Sequence, residues 1–152
     1  MAGTMQFYLA PMEGITTWVY RKAHAEVYGA LDKYFIPFLE THEKRDFKTR
    51  ELQEILPEHN EGIQAVPQIL TKDADGFIRV VRALQSFGYD EINLNLGCPS
   101  KTVVSSQRGA GFLAFPEELD CFLEKIFGVL DVKLSVKTRV GKDSPEEFGR
   151  LL

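Results

Sequence analysis

Ile92-Asn93-Leu94-Asn95-Leu96-Gly97-Cys98-Pro99-Ser100 is the stretch on which the reading of this chain turns. Apolar and polar residues alternate in it as in a strand. The run then meets a glycine that can take an unusual backbone angle, a cysteine, and a proline that forbids a further ladder hydrogen bond. Such a segment holds one thiol at the carboxyl end of a strand. Most cysteines act as small buried hydrophobes. Here Asn95 needs a polar partner for its amide, and Gly-Cys-Pro is loop chemistry, where binding residues concentrate, so Cys98 is the first candidate for chemistry.

Working outward, strands alternate with helices at short intervals. Gln6 to Ala10 reads as a first strand closed by Pro11; Thr16 or Thr17 caps a helix that runs through Tyr20, Ala23 and Val27 to a stop at Gly29. Tyr34 to Leu39 is a second strand, and the polar region 41–62 contains a short helix near Lys48 to Ile55. Ala65 to Leu70 is a third strand. From Thr71 as cap, Phe77, Ile78, Val80, Val81, Leu84 and Phe87 recur at helical spacing before Gly88. Glu91 to Asn95 is the fourth strand, followed by a long loop, 97–113. Pro116 with Glu117 and Glu118 opens a helix whose buried stripe is Leu119, Phe122, Leu123, Ile126 and Phe127, with Cys121 read as packing. Lys133 to Arg139 is the fifth strand, and Ser144-Pro145-Glu146-Glu147 caps one more helix. Strands joined by helical crossovers make a parallel sheet, either open and doubly wound or part of a β/α barrel. The pattern leaves both open.

Composition bounds the function. A chain of 152 residues, 44% hydrophobic and 26% charged, has the apolar content for one core. It has no run near the roughly 18 apolar residues of a membrane span, and its start lacks a basic region followed by an apolar one, which predicts a cytoplasmic protein without membrane contact. Cys98 and Cys121 suggest neither a disulfide framework nor a metal site. A formal charge of −4 excludes coating nucleic acid by bulk electrostatics. A local basic patch remains, in Lys44, Arg45, Lys48 and Arg50 and in Lys101 and Arg108 around the loop after the cysteine.

Asn95-Leu96-Gly97-Cys98-Pro99 resembles the active-site signature of the flavin-dependent tRNA-dihydrouridine synthases. Ala10-Pro11-Met12-Glu13-Gly14 is similar to that family's first strand-end motif, Pro67-Gln68-Ile69 to its third, and Val136-Lys137-Thr138-Arg139-Val140-Gly141 to its fifth. Arg108-Gly109-Ala110-Gly111 is similar to the loop after the cysteine. The matches occur in the family's order from about residue 7 to about residue 141. The resemblance implies an α/β fold, a parallel β/α barrel of TIM type that is incomplete here, with about five of the eight βα units. Residues 1–152 would be the N-terminal portion of the FMN-binding barrel, and the remaining strands and the helical tRNA-binding domain would lie outside them. The family's flavin-holding histidine, on the sixth strand, would be outside as well. His24, His42 and His59 stand in other segments and read as surface or helix residues that belong to no motif.

The resemblance also implies a reaction. In the family, NADPH reduces FMN, hydride passes to C6 of a uridine in tRNA, and a cysteine thiol protonates C5. Cys98 occupies the place of that acid, a role that requires a protonated rather than an activated thiol. Asn95 would orient the pyrimidine, its amide offering a donor and an acceptor. Gln68 would pair with the flavin's pyrimidine ring. Lys137, in an otherwise apolar strand, would point toward the barrel mouth and face the anionic locus of the reduced flavin, and Arg139 would face the same way toward the flavin phosphate or the substrate backbone. Ala10, Pro11 and Met12 would touch the flavin, with Met12 as core the alternative. Lys101 and Arg108 would contact phosphates beside a uridine presented out of its stack. Two alternatives stand beside this reading. One is an FMN-dependent barrel oxidoreductase acting on a free pyrimidine, of the dihydroorotate dehydrogenase kind. The other is a non-enzymatic remnant that self-associates through open barrel edges as a homo-oligomer.

Overall fold

The computed structural model describes residues 5–151. Strands β1 (Tyr8–Leu9), β2 (Lys33–Glu40), β3 (Ala65–Leu70), β4 (Glu91–Leu96) and β5 (Lys133–Thr138) lie side by side, all parallel, in chain order. Between and after them run helices α1 (Trp18–Tyr28), α2 (Thr49–Ile55), α3 (Ala74–Ser86), α4 (Lys101–Ser105), α5 (Pro116–Phe127) and α6 (Phe148–Leu151). This strand order decides between the two architectures. A doubly wound sheet reverses part-way, whereas a barrel sets each new strand beside the last. Repeated right-handed crossovers in one direction then bring all the helices to one face. The five strands form a curled half-barrel, the incomplete TIM-type arrangement that the family resemblance implied and the strand pattern had left open.

Alternation sorts the side chains between two faces. Ile69, Ile92 and Leu94 turn outward and pack with Phe77, Leu84 and Phe122 of α3 and α5 in the core. Phe35, Asn93 and Ser135 turn inward and line the concave face. In β2 the register slips by one residue, pairing Ile36 with Pro67 but Leu39 with Ile69, around Pro37, which has no N–H to give a ladder. The bulge lets Ile36 and Leu39, three positions apart, both reach the helical layer.

The helices follow the sequence closely where an apolar stripe drives them. α3 buries Phe77, Ile78, Val80, Val81 and Leu84, and Gly88 behind it has φ +92°. Its cap is Asp73, whose carboxylate accepts from the N–H of Asp75 at 3.1 Å; Thr71 instead accepts from Asp73 N–H at 3.0 Å. α5 begins at Pro116 and buries Leu119, Phe122 and Ile126, but Phe127 is 61% exposed. Cys121, expected to pack, is exposed, because it falls off that stripe on the solvent side. β1 is only two residues long, since its one neighbour, β2, pairs with Tyr8 and Leu9 alone. The loop predicted over 97–113 contains α4 and a 3-10 turn, Gly109–Ala114, both too short to show a period.

The polar region before β3 holds a feature without sequence signature. Arg21 is fully buried and donates to the Thr16 carbonyl (2.8 Å), the Glu54 carboxylate (2.9 Å), the Glu54 carbonyl (2.8 Å) and Asn60 Oδ1 (2.9 Å), tying α1 to α2. The three histidines make local structural contacts. His24 meets Tyr34 Oη at 3.1 Å, His42 meets Glu51 at 2.9 Å, and His59 bonds the Gln53 carbonyl and stacks on Trp18.

Candidate active site

Cys98 stands half-buried where β4 ends, and its turn is organised by Asn95. Asn95 Oδ1 accepts the backbone N–H groups of both Gly97 and Cys98 at 3.0 Å. Asn95 Nδ2 donates to Gln68 Oε1 at 2.8 Å, Gln68 Nε2 to Asn93 Oδ1 at 2.7 Å, and Asn93 Nδ2 to Ser135 Oγ at 3.0 Å. All three amides are buried. Of the donor and acceptor that Asn95 was expected to offer a base, the acceptor is thus engaged by backbone, and one Nδ2 hydrogen remains. Gln68 likewise keeps one Nε2 hydrogen and one Oε1 lone pair.

Gly97 takes no left-handed angle, contrary to expectation. It is buried against β5, where a Cβ would meet the Lys137 carbonyl at 3.4 Å. Its own carbonyl accepts from Arg139 Nε at 2.9 Å, so Arg139 braces the cysteine turn from the end of β5. Gly109 shows why the following loop needs its glycines. It has φ +55°, and a Cβ there would lie 2.9 Å from the Cys98 carbonyl and 3.0 Å from Cys98 Cβ. Ala110 N–H bonds the same carbonyl at 3.1 Å, and a Cβ on Gly111 would come 2.6 Å from the Val104 carbonyl. The Arg108-to-Gly111 segment is therefore pressed directly onto the cysteine turn.

On the concave face, between β1 and β5, lies a cavity of about 400 Å³ bordered by Ala10, Pro11, Phe35, Asn93, Ser135 and Lys137, among others. At its amino end Lys33 reaches Glu91 at 2.6 Å, and Lys133 reaches it at 3.0 Å. Burial raises the pKa of the Glu91 carboxyl, but its hydrogen bonds to the two ammoniums more than compensate and leave it below the ordinary range. At the carboxyl end Lys137 is exposed on β5 and, among the described residues, has neither a hydrogen bond nor an ion pair. A cavity of this size, with apolar walls from Ala10, Pro11 and Phe35, amide and hydroxyl groups, and an unpaired ammonium at its mouth, fits a planar ring carrying negative charge.

The remaining predicted residues are more dispersed. Met12 is 56% exposed, which removes the core alternative, and its backbone closes a turn with Thr16. Lys101 is exposed at the first position of α4. Arg108 bonds Glu40 at 2.7 Å, and Lys48 approaches the same carboxylate at 3.3 Å. Burial opposes ionisation of Glu40, yet these partners hold it below its ordinary pKa. Asn93, Ser135 and the Lys33–Glu91–Lys133 group were not singled out from sequence; only the inward phase of β4 and β5 hinted at them.

A family model described as dihydrouridine synthase (Dus) matches residues 8–150. The chain belongs to the dihydrouridine synthase family. It is 31% identical over 139 residues to the tRNA-dihydrouridine synthase B of Pasteurella multocida, covering 91% of this chain and 41% of that protein. It is 31% identical over 150 residues to the tRNA-dihydrouridine(16) synthase of Pseudomonas putida, covering 93% of this chain and 46% of that one. With the tRNA-dihydrouridine(20/20a) synthase of Vibrio parahaemolyticus it shares 35% identity over 81 residues, 53% of this chain and 25% of the relative. The chain thus spans less than half of the length of these relatives. Family membership favours the dihydrouridine synthases over the free-pyrimidine oxidoreductases. No helix among the described residues is long and apolar enough to cross a membrane.

Proposed function

We propose that this chain carries the proton donor and part of the flavin site of a tRNA-dihydrouridine synthase. The observation that carries the reading is the turn in which Asn95 holds the Gly97 and Cys98 amides, at the same end of the half-barrel as the unpaired Lys137. Bound in the concave cavity and reduced by NADPH, FMN would supply the hydride that saturates the C5–C6 bond of a tRNA uridine. Cys98 Sγ gives its proton to C5 of that base. Asn95 keeps the thiol in place and directs its remaining amide hydrogen to the pyrimidine. Ala10, Pro11 and Met12 provide an apolar edge for the ring system and Lys137 its counter-charge, while Gln68, buried behind the cavity wall, anchors the Asn93 and Asn95 amides beside its pyrimidine portion. Arg139 holds the cysteine turn.

The target base must leave its stack to reach Cys98. Lys101, exposed beside the turn, is the first contact for its backbone phosphate, and Arg108 joins it by exchanging Glu40 for phosphate. A tRNA substrate assigns the protein to the cytoplasm. Among the described residues β1 and β5 are the sheet's outer strands, with no further strand paired to them, which favours association of copies. Sedimentation at rising concentration tests this, and a monomer throughout would refute it.

Titration of the protein with FMN, followed by quenching of flavin fluorescence, tests the main reading. Saturable binding that is lost in Lys137→Ala is expected, with dihydrouridine formed in tRNA when NADPH is added. Absence of binding, or binding indifferent to Lys137, would overturn it.

A further inference from the structure

We propose that Asn93 and Ser135, outside the motif around the cysteine, are positioning residues that hold the far end of a hydrogen-bond chain whose direction is fixed by the Cys98 turn. The inference deepens the reading of Cys98 as a proton donor and takes its functional meaning from it. A backbone N–H can only donate, so the contacts of Gly97 and Cys98 with Asn95 at 3.0 Å oblige that end of the amide to be oxygen. Nδ2 must then donate to Gln68 at 2.8 Å, Gln68 Nε2 to Asn93 at 2.7 Å, and Asn93 Nδ2 to Ser135 at 3.0 Å. The Ser135 hydroxyl completes the chain by turning to the Ile92 carbonyl at 3.4 Å. Each link has one allowed orientation, and a reversal anywhere would set two donors or two acceptors face to face.

The chain crosses three strands, β5, β4 and β3, before returning to the end of β4. Gln68 and Asn95 can be oriented from one side by the cysteine turn; Asn93 and Ser135 hold them from the other. Asn93 and Ser135 also border the concave cavity, while Gln68 does not, so whatever fills the cavity meets the far end of the same chain.

Hydrogen exchange of the Gly97 and Cys98 amides and the alkylation rate of Cys98, both in a Cys121→Ser background without flavin or RNA, test the proposal. Asn93→Leu keeps the volume but leaves Gln68 Nε2 without its acceptor. It should speed exchange at both amides at least about tenfold, the equivalent of losing one hydrogen bond of about 1.4 kcal/mol, and change the alkylation rate. Asn93→Asp, which still accepts from Gln68, should restore both to within about threefold of the parent. Ile78→Val, a loss of packing away from the chain, should leave both unchanged. Unchanged exchange in Asn93→Leu, or an Asp variant that behaves like Leu, would overturn the proposal. If Asn93→Leu does not fold, Ser135→Ala decides, with faster exchange supporting the chain and unchanged exchange overturning it. These readouts need no catalysis, so the positioning role and the synthase reading can fail separately.

Discussion

Replacing Gly109 by alanine should cost this protein more than its exposed glycines would suggest. The left-handed backbone at φ +55° penalises any Cβ by about 1–2 kcal/mol. The added methyl would also lie 2.9 Å from the Cys98 carbonyl, 3.0 Å from Cys98 Cβ and 2.9 Å from Val103 Cγ1. Two of those atoms belong to the cysteine turn, whose position is held by Asn95 and Arg139, so the strain cannot be relieved by rotating a surface side chain. Overpacking of this kind costs a further 1–3 kcal/mol or about that, for a total of roughly 2–5 kcal/mol. Urea unfolding followed by circular dichroism measures it. Gly149→Ala is the control, since a Cβ there meets nothing within 4 Å and its φ is not left-handed. A loss below about 1 kcal/mol for Gly109→Ala would refute the claim that the Arg108-to-Gly111 loop is clamped on the cysteine turn.

Other outcomes follow from the buried and charged groups. Arg21→Met leaves Glu54 and Asn60 without their partner and should destabilise by about 3–5 kcal/mol in the same urea assay; a loss under about 1 kcal/mol would mean the network is replaceable. Glu91 has its folded-state pKa below the ordinary value, so its contribution to stability is present above the unfolded value of about 4.3 and is lost as pH falls further. Glu91→Gln should therefore flatten the acid limb of a melting-temperature profile, and an unchanged limb would count against the Lys33–Glu91–Lys133 group. A maleimide should label the exposed Cys121 of the native protein before the half-buried Cys98, as read by peptide mass mapping. Equal rates would contradict the packing of the cysteine turn.

Much of this arrangement was legible in local patterns. The boundaries of β3 and the start of α5 were read correctly because alternation, a helical stripe and Pro116 are signals carried by neighbouring residues. The Cys98 turn was legible for the same reason, since Gly97 and Pro99 end a strand whatever surrounds it. The reason for Gly97 was not, because its close neighbour, the Lys137 carbonyl, is supplied by another strand. Cys121 was misread because a helical stripe has a width, and only packing against the core shows which residue at its margin is covered. α4 and the 3-10 turn at Gly109–Ala114 escaped detection because segments so short owe their form to what they pack on.

The sequence by itself determined the class of fold, the order of its strands and helices, and the strand-end cysteine with its family. These depend on periodicities and turn chemistry within a few residues. Only the tertiary structure decided that successive strands add on one side to curl into a half-barrel, that Arg21 is buried among α1, α2 and Asn60, and that Asn93, Gln68, Asn95 and Ser135 form one directed chain. Each of those facts is a contact between residues far apart in the chain: the helical crossovers announce that the strands are parallel, but not on which side each new strand adds or which distant side chains meet.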